Sequence, residues 1–486
     1  MPVSQAMLES LQQVLQDSKL RQLCSLYKEL DTDECAAFLQ LLAQEFNVDH
    51  ENVERLAQSF VDNKNKGEIF VVTCEEKLRK ALTPQYHWLF SQIGRLEGGV
   101  KFLVDMRSQI LAEIETHDKE DTSIYYLRAL NSALKELLAL WFSVGFLNLE
   151  RVTWQSSCDM LQKVSDYEAV HPMRNWTDLK RRVGQYRRCF VFTHSSMPRE
   201  PIVVLHTALT NEISKSIQGI VVQRVHSDTD VSGSMSGYEE DPRKITTAIF
   251  YSITSTQKGL QGIELGNYLI KRVVRQLQVE FPQMTQFSSL SPIPGFSQWL
   301  LQKITAVEKT PDLGNDLLAA TEIAEIEALL PVVPGVDGPL ANQTQNIWQK
   351  LRKTISTNSW VVNEKLSQKL ETPLMRLCAR YLYSEKHRGF ALDSVANFHS
   401  RNGAVMWRLN WKADLSPRGL TNSCGIMVNY RYYLEQTEDN SARYLDEKFI
   451  KASPQIVQLA RQQTQSSLSV TSNDEANTTG NDSPQI

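Results

Sequence analysis

The sequence predicts an α+β fold: an all-helical N-terminal region followed by a mixed α/β region with helical insertions. Three observations predict it. Residues 1–142 carry apolar side chains at helical spacing and contain only two prolines, Pro2 and Pro84. Beyond Gly145 the texture turns β-rich, in short runs bounded by Pro and Ser. Between residues 246 and 296 an apolar strand, a Gln/Gly-rich turn and a helix follow one another directly.

In the first region, Met7, Leu8, Leu11, Leu15 and Leu20 begin the helical pattern, and Phe38, Leu39, Leu41, Leu42 and Phe46 continue it. The clearest helix spans 122–142. Its cap is Thr122 or Ser123, and its stripe is Leu127, Leu130, Leu134, Leu137, Leu138 and Trp141. This region carries no catalytic signature, so residues 1–142 read as a bundle for packing and assembly. Residues 143–462 form the second expected domain, with β-rich runs at 189–193 and 202–209. Residues 217–225 suit either helix or strand. A polar Ser/Gly/Asp insert follows at 226–243. Residues 305–370 are helical again, with a Pro/Gly break at 331–339, and 406–411 and 426–433 read as further strand or strand-to-helix segments. From residue 463 the chain is Ser/Thr/Asn-rich without apolar period, the composition of a disordered tail.

Composition narrows the function. The chain has 486 residues, 42% hydrophobic and 22% charged, the balance of a globular protein. It carries 52 Lys+Arg against 56 Asp+Glu, a net charge of −4, so no global field attracts nucleic acid. Its seven cysteines form no C-x-x-C pair, which argues against a zinc ribbon and a secreted disulfide framework. No apolar run is long enough to span a bilayer, and the N-terminus lacks the marks of a signal or transit peptide. The expected location is the cytoplasm, with no membrane partner.

The strand at 248–253 enters the turn at 257–266. The helix beyond it has Leu269, Ile270, Val273, Val274, Leu277 and Phe281 on one face. Free N–H groups in a helix's first turn and small residues before it suit a phosphate. Gln261, Gly262, Ile263, Glu264, Leu265, Gly266 and Asn267 therefore read as a pyrophosphate cradle, or as an ordinary strand-to-helix turn. The segment lacks the Lys-Ser/Thr of a P-loop. It resembles the Gln/Arg-x-x-Gly-x-Gly/Ala loop of the GNAT acyltransferase superfamily, which holds the pyrophosphate of coenzyme A. Glu264 stands where that loop usually has glycine.

Two polar segments sit in rigid settings. Ser291 ends a short strand, with Pro292 and Pro294 stiffening the chain beyond it. It suits a carboxylate or oxyanion, or equally a cap for a helix at 296–302. His399 lies near the end of a short helix that Gly403 terminates. A histidine titrates at about pH 6.5 unperturbed and can move a proton, though a structural role fits the same position. The other histidines have no metal-ligand spacing. Lys180, Arg181, Arg182, Arg187 and Arg188 form the strongest basic cluster, either a solvated face or a surface for phosphates or an acidic neighbouring subunit.

These segments together closely resemble the malonyl-CoA decarboxylase family. The matching blocks include His171-Pro172-x-x-Asn175-Trp176, Lys180 to Gly184, Gly259 to Gly266, Phe287 to Phe296, Glu385-Lys386-His387-Arg388-Gly389, Val395 to His399 and Asn429 to Tyr432. The resemblance runs to about residue 460. It implies a helical oligomerisation domain, a GNAT-like catalytic domain and a homotetramer built as a dimer of dimers. It implies Ser291 and His399 as the catalytic pair and residues 261–267 as the coenzyme A contact; Tyr432, in the late strand-to-helix segment, reads as a helper to that pair. The implied reaction turns malonyl-CoA into acetyl-CoA and CO2 in fatty acid metabolism. No cofactor is expected beyond the coenzyme A of the substrate, because the thioester is itself the electron sink. Animal members commonly carry a mitochondrial presequence and a C-terminal Ser-Lys-Leu. This sequence shows neither, which favours a cytoplasmic, bacterial protein. A GNAT-type acyltransferase and a silent acyl-CoA sensor are the alternatives.

Overall fold

The structure of the protein is a computed structural model that describes residues 17–116, 121–221, 240–263, 265–310, 314, 316–330 and 346–462. The chain divides into two compact units. One comprises the chain up to Val183 with Cys189–Leu205 and Ile253–Val273. The other comprises Gly184–Arg188, His206–Ser252 and the chain from Val274 onward.

In the first unit seven helices come first among the described residues: α1 (Asp17–Glu29), α2 (Thr32–Glu45), α3 (His50–Asn63), α4 (Glu68–Ala81), α5 (Gln85–Ile93), α6 (Gly99–Thr116) and α7 (Ser123–Trp141). The expected stripe of α7 is buried at Leu127, Leu130, Leu134, Leu137 and Leu138, and the helix packs on α2, α5 and α6. Its N-cap residue is Thr122, one of the two expected. Thr122 makes no capping bond, and Asp121 instead accepts from the N–H and hydroxyl of Ser123. A carboxylate suits the positive end of the helix dipole. A capping box of Asp31 and Glu34 starts α2. Helices α3 and α4 pack on each other and bury no residue fully.

The helices give way to β1 (Leu147–Val152), which pairs antiparallel with β2 (Arg187–His194), from Leu147 opposite His194 to Val152 opposite Cys189. Helices α8 (Cys158–Asp166) and α9 (Trp176–Arg182) cover that pair through Met160, Leu161, Val164 and Leu179.

The second unit holds most of β3 (Val203–Thr210), the short helix α10 (Gln218–Val221) and β4 (Thr247–Ser255) up to Ser252. Helix α11 (Gly266–Glu280) leads to β5 (Gln286–Ser289). Among the described residues five further helices, α12 (Phe296–Lys309), α13 (Ala320–Glu327), α14 (Ile347–Ser356), α15 (Glu364–Tyr383) and α16 (Ser394–Arg401), precede β8 (Val405–Asn410); a hairpin of two-residue strands, β6 (Lys386–His387) and β7 (Phe390–Ala391), joins α15 to α16. The chain continues through α17 (Pro417–Ser423), β9 (Met427–Tyr432), α18 (Thr437–Glu447) and α19 (Pro454–Arg461). Strand β5 runs parallel to β4 and antiparallel to β9, and β8 closes the order β4-β5-β9-β8.

The helix at 296–302 extends to Lys309, and its N-cap is Gly295, not Ser291. The break at 331–339, residues 222–225 of the helix-or-strand segment, residues 226–239 of the polar insert and the tail from 463 lie outside the described residues. The basic cluster is not one solvated face. Arg182, Arg187 and Arg188 are buried. Arg188 pairs with Glu240 and Glu280 at 2.7 and 2.6 Å, Arg187 donates to the Ile220 carbonyl, and Arg182 donates to the His171 carbonyl. A guanidinium stays charged when buried, so it is kept where acceptors surround it.

Candidate functional site

The second unit brings Ser291, His399 and Tyr432 together. Helix α16 positions the histidine. Asp393 caps it, accepting from the N–H groups of Val395 and Ala396. At its other end Gly403 turns the chain with φ +73°, and a Cβ there would meet the Thr437 carbonyl oxygen at 1.8 Å. Only glycine fits both the dihedral and the space. One turn before that stop, His399 enters the interior.

Its imidazole is held from three directions. Nε2 lies 2.9 Å from Ser291 Oγ, Nδ1 lies 2.7 Å from the Tyr432 hydroxyl, and the ring stacks on Tyr430 at 4.3 Å. Ser291 Oγ in turn donates to Ser289 Oγ at 2.8 Å. Counting donors assigns the tautomer: if Ser291 gives its hydrogen to Ser289, Nε2 carries the ring hydrogen and Tyr432 donates to Nδ1.

Strands β5 and β9 set this geometry. Phe287 sits opposite Tyr432, and beyond the strand Ser291 bridges back to Val428. Between these points Asn429 donates to the Ser289 carbonyl at 2.9 Å while its own oxygen accepts from Arg408 and Asn410. The two serines therefore stand on a backbone tied to the next strand on both sides.

Burial pushes the His399 imidazole down to about 3. The expected titration near neutrality is overturned: in the free protein His399 is neutral through the physiological range. Burial also raises the Tyr432 phenol, which stays protonated. Asp393 is pushed up to about 6, first by burial, against the pull of two backbone N–H groups. The histidine, its phenol and its two serines thus form an uncharged cluster of aligned donors.

The expected cradle lies in the first unit. Gly262 has φ +78°, the left-handed conformation a tight turn demands. Gly259 packs so closely on α6 that an added Cβ would lie 1.7 Å from the Val104 carbonyl oxygen. Beneath the turn, Arg107 of α6 donates to the carbonyls of Gly259 and Gln261 and, through Nε, to Asn131 of α7. The Ile263 N–H is used within the turn, on the Leu260 carbonyl, and Leu265 is buried. Glu264 lies outside the described residues; Gly266 and Asn267 open α11. The helices expected to serve packing and assembly alone therefore also support this loop.

Sequence reasoning missed Arg107, Ser289, Tyr430 and Asp393. Arg107 had a signal. It occupies the apolar stripe Val100, Leu103, Val104, Arg107, Ile110, all five buried. Ser289 and Tyr430 had none: Ser289 joins the cluster through Ser291, and Tyr430 meets the His399 ring only by tertiary stacking. Among the described residues no group of three or more His, Cys, Asp or Glu side chains is placed to hold a metal ion. No described helix is long and apolar enough to cross a membrane.

A mixed sheet thus carries a buried serine–imidazole–phenol cluster, with the imidazole within hydrogen-bond reach of both hydroxyls. The chain belongs to the malonyl-CoA decarboxylase family. The family's N-terminal domain model matches residues 46–142 and its C-terminal domain model residues 145–470. It is 50% identical over 430 residues to the mitochondrial malonyl-CoA decarboxylase of Mus musculus, covering 88% of this chain and 82% of that protein. It is 48% identical over 437 residues to that of Anser anser anser, covering 89% and 81%. The fold matches the crystal structure of malonyl-CoA decarboxylase from Rhodopseudomonas palustris with a TM-score of 0.75 at 30% identity, over 94% of this chain and all of that one. The Agrobacterium vitis structure matches with a TM-score of 0.72 at 26% identity, over 94% and 99%.

Proposed function

We propose that the protein converts malonyl-CoA to acetyl-CoA and CO2, with Ser291, His399 and Tyr432 as the catalytic groups and residues 261–267 as the coenzyme A contact. Family membership supports the reaction. The observation that carries the site is the bracketed imidazole, Nε2 on Ser291 and Nδ1 on Tyr432.

The chemistry suits an uncharged donor set. Breaking the bond to the carboxylate leaves its electron pair on the α-carbon, delocalised into the thioester as an enolate. On substrate binding the Ser291 hydroxyl turns its one hydrogen from Ser289 to the malonyl carboxylate, which it holds before the bond breaks, and a desolvated setting favours departure as neutral CO2. His399 then gives its Nε2 hydrogen to the α-carbon. The phenol donating to Nδ1 stabilises the negative charge this leaves on the ring, as positioned donors do, by roughly 2.7–4 kcal/mol. A proton from solvent restores the ring, so each turnover consumes one proton. No metal or organic cofactor enters this sequence.

The test is direct. Pure protein, malonyl-CoA and EDTA, without an amine acceptor, should yield acetyl-CoA and CO2 in equal amounts. Acyl transfer that requires an amine would favour the acyltransferase alternative, and activity restored only by added metal would refute the cofactor-free reading.

We further propose a GNAT-like catalytic region, action in the cytoplasm, and a homotetramer built as a dimer of dimers through the helices before residue 142. Seven free thiols support a reducing compartment. Exposed Ile69, Phe70 and Val72 on α4 support an assembly face. Sedimentation of the intact chain against an α4 variant with Ile69 and Phe70 replaced by Ser tests the assembly, and a monomeric wild type would refute it.

A further inference from the structure

Arg107 is almost wholly buried, yet its three hydrogen bonds all go to uncharged acceptors, the carbonyls of Gly259 and Gln261 and the side chain of Asn131. Among the described residues no carboxylate balances its charge. Burying an unbalanced cation is costly, and it persists where something else supplies the negative charge. A second cation lies beside the same turn. A Cβ built on Gly262 would stand 3.4 Å from Lys135 Nζ, on α7. Lys135 forms no ion pair or hydrogen bond among the described residues, and the Gly262 N–H beside it meets no acceptor there. The turn thus carries Arg107 on two of its carbonyls, Lys135 beside Gly262 and an open N–H donor, and among the described residues no carboxylate pairs with either cation.

We propose that helices α6 and α7 are part of the coenzyme A site: Lys135 contacts a phosphate of the substrate directly, together with the Gly262 N–H, and Arg107 is a positioning residue that fixes the loop and holds positive charge beneath it. This rests on the reading of residues 261–267 as the coenzyme A loop. The ligand chemistry is a phosphate ester or anhydride. It enters from the helical region, which neither the loop motif nor the serine–histidine pair implicates.

The test uses the intact protein and three thioesters: malonyl-CoA, malonyl-dephospho-CoA and malonyl-pantetheine. Lys135→Met should raise KM for malonyl-CoA about tenfold, the usual weight of a charged hydrogen bond, while kcat stays within about twofold. The penalty should vanish on malonyl-pantetheine, which has no phosphate, and Lys135→Arg should largely restore KM. A penalty kept on malonyl-dephospho-CoA assigns the pyrophosphate, and one lost there assigns the 3′-phosphate; either supports the proposal. An equal change on malonyl-CoA and malonyl-pantetheine, or none on either, overturns it. Wild-type protein that does not discriminate between those two thioesters would instead refute the loop reading itself. Arg107→Lys keeps the charge but not the grip on two carbonyls, and should also raise KM only for the phosphate-bearing substrates. Should that variant not fold, Asn131→Ala loosens the same guanidinium and carries the same test. An unchanged KM overturns the positioning role.

Discussion

The turn at residues 257–263 and the cluster around His399 each bury a basic side chain, and the two respond in opposite ways. Arg107 keeps its charge, because a guanidinium does not give up its proton in a protein. His399 loses its charge, because burial favours the neutral ring and pushes its pKa down to about 3. The first region is therefore a fixed positive field over an open donor, suited to a permanently charged group. The second is an array of neutral donors, suited to a charge that appears and disappears during reaction. Removing solvent does both jobs, and the residue type decides which.

The largest expected effect lies in the neutral cluster. His399→Asn removes the proposed proton donor and should lower kcat by about 10²–10⁴-fold, with a smaller change in KM. Ser291→Ala should change both constants if its hydroxyl holds the carboxylate. A His399→Asn protein with wild-type kcat would make the imidazole structural and leave the comparison without its second term.

Next comes Gly259→Ala at the charged turn. The added methyl meets the Val104 carbonyl, so the loop must shift. Overpacking of this kind costs about 1–3 kcal/mol. Both a lower Tm and a higher KM for malonyl-CoA should follow, with kcat nearly kept. A lower Tm with unchanged KM would separate the turn from substrate binding.

The pH response sharpens the contrast further. With its folded pKa near 3, His399 should impose no limb on kcat/KM between about pH 6 and 9. Wild type and His399→Asn should then share one profile shape there, at different heights. Stability has its own sign. Below about pH 6.5 the unfolded imidazole binds a proton the folded one refuses, so stability falls from there toward pH 3. Acid unfolding followed by fluorescence should show that fall blunted in His399→Asn. A kcat/KM limb near pH 6.5 that only the variant loses would show that the ring is charged.

The smallest effect concerns Asp393, the cap of α16. Its pKa is raised to about 6 from an ordinary 3.8, so its contribution is full below pH 3.8 and lost as pH rises through 6. Asparagine keeps the cap and cannot ionise. Asp393→Asn should therefore match or exceed the wild-type Tm at pH 8, while Asp393→Ala should fall below it by losing the cap. Equal losses in both variants would place the stabilisation in the carboxylate charge.

Local pattern made several elements legible. The stripe of α7 and the apolar face Leu269 to Phe281 follow from period alone, since one face of each must be buried wherever the helix packs. Gly403 announced the end of α16. Segments around Ser291 and His399 stood out because rigid punctuation flanks a polar side chain. The state of His399 was not legible, because burial comes from Tyr430 and Tyr432, across a strand pairing about thirty residues away. Nor was the fate of the basic cluster. Arg188 finds Glu240 and Glu280 only when the chain folds back.

By itself, then, the sequence determined the helical first region, the strand–turn–helix unit and the two segments that bear the candidate proton-transfer groups. Those depend on periodicity, glycine and proline, whose effects are confined to a few neighbouring residues. Tertiary structure alone decided that Tyr432 and Ser291 grip the two nitrogens of one neutral imidazole. It also decided that a helix from the first region underpins the loop at 257–263. Both depend on which distant groups share a space without water, and so on which charges survive there.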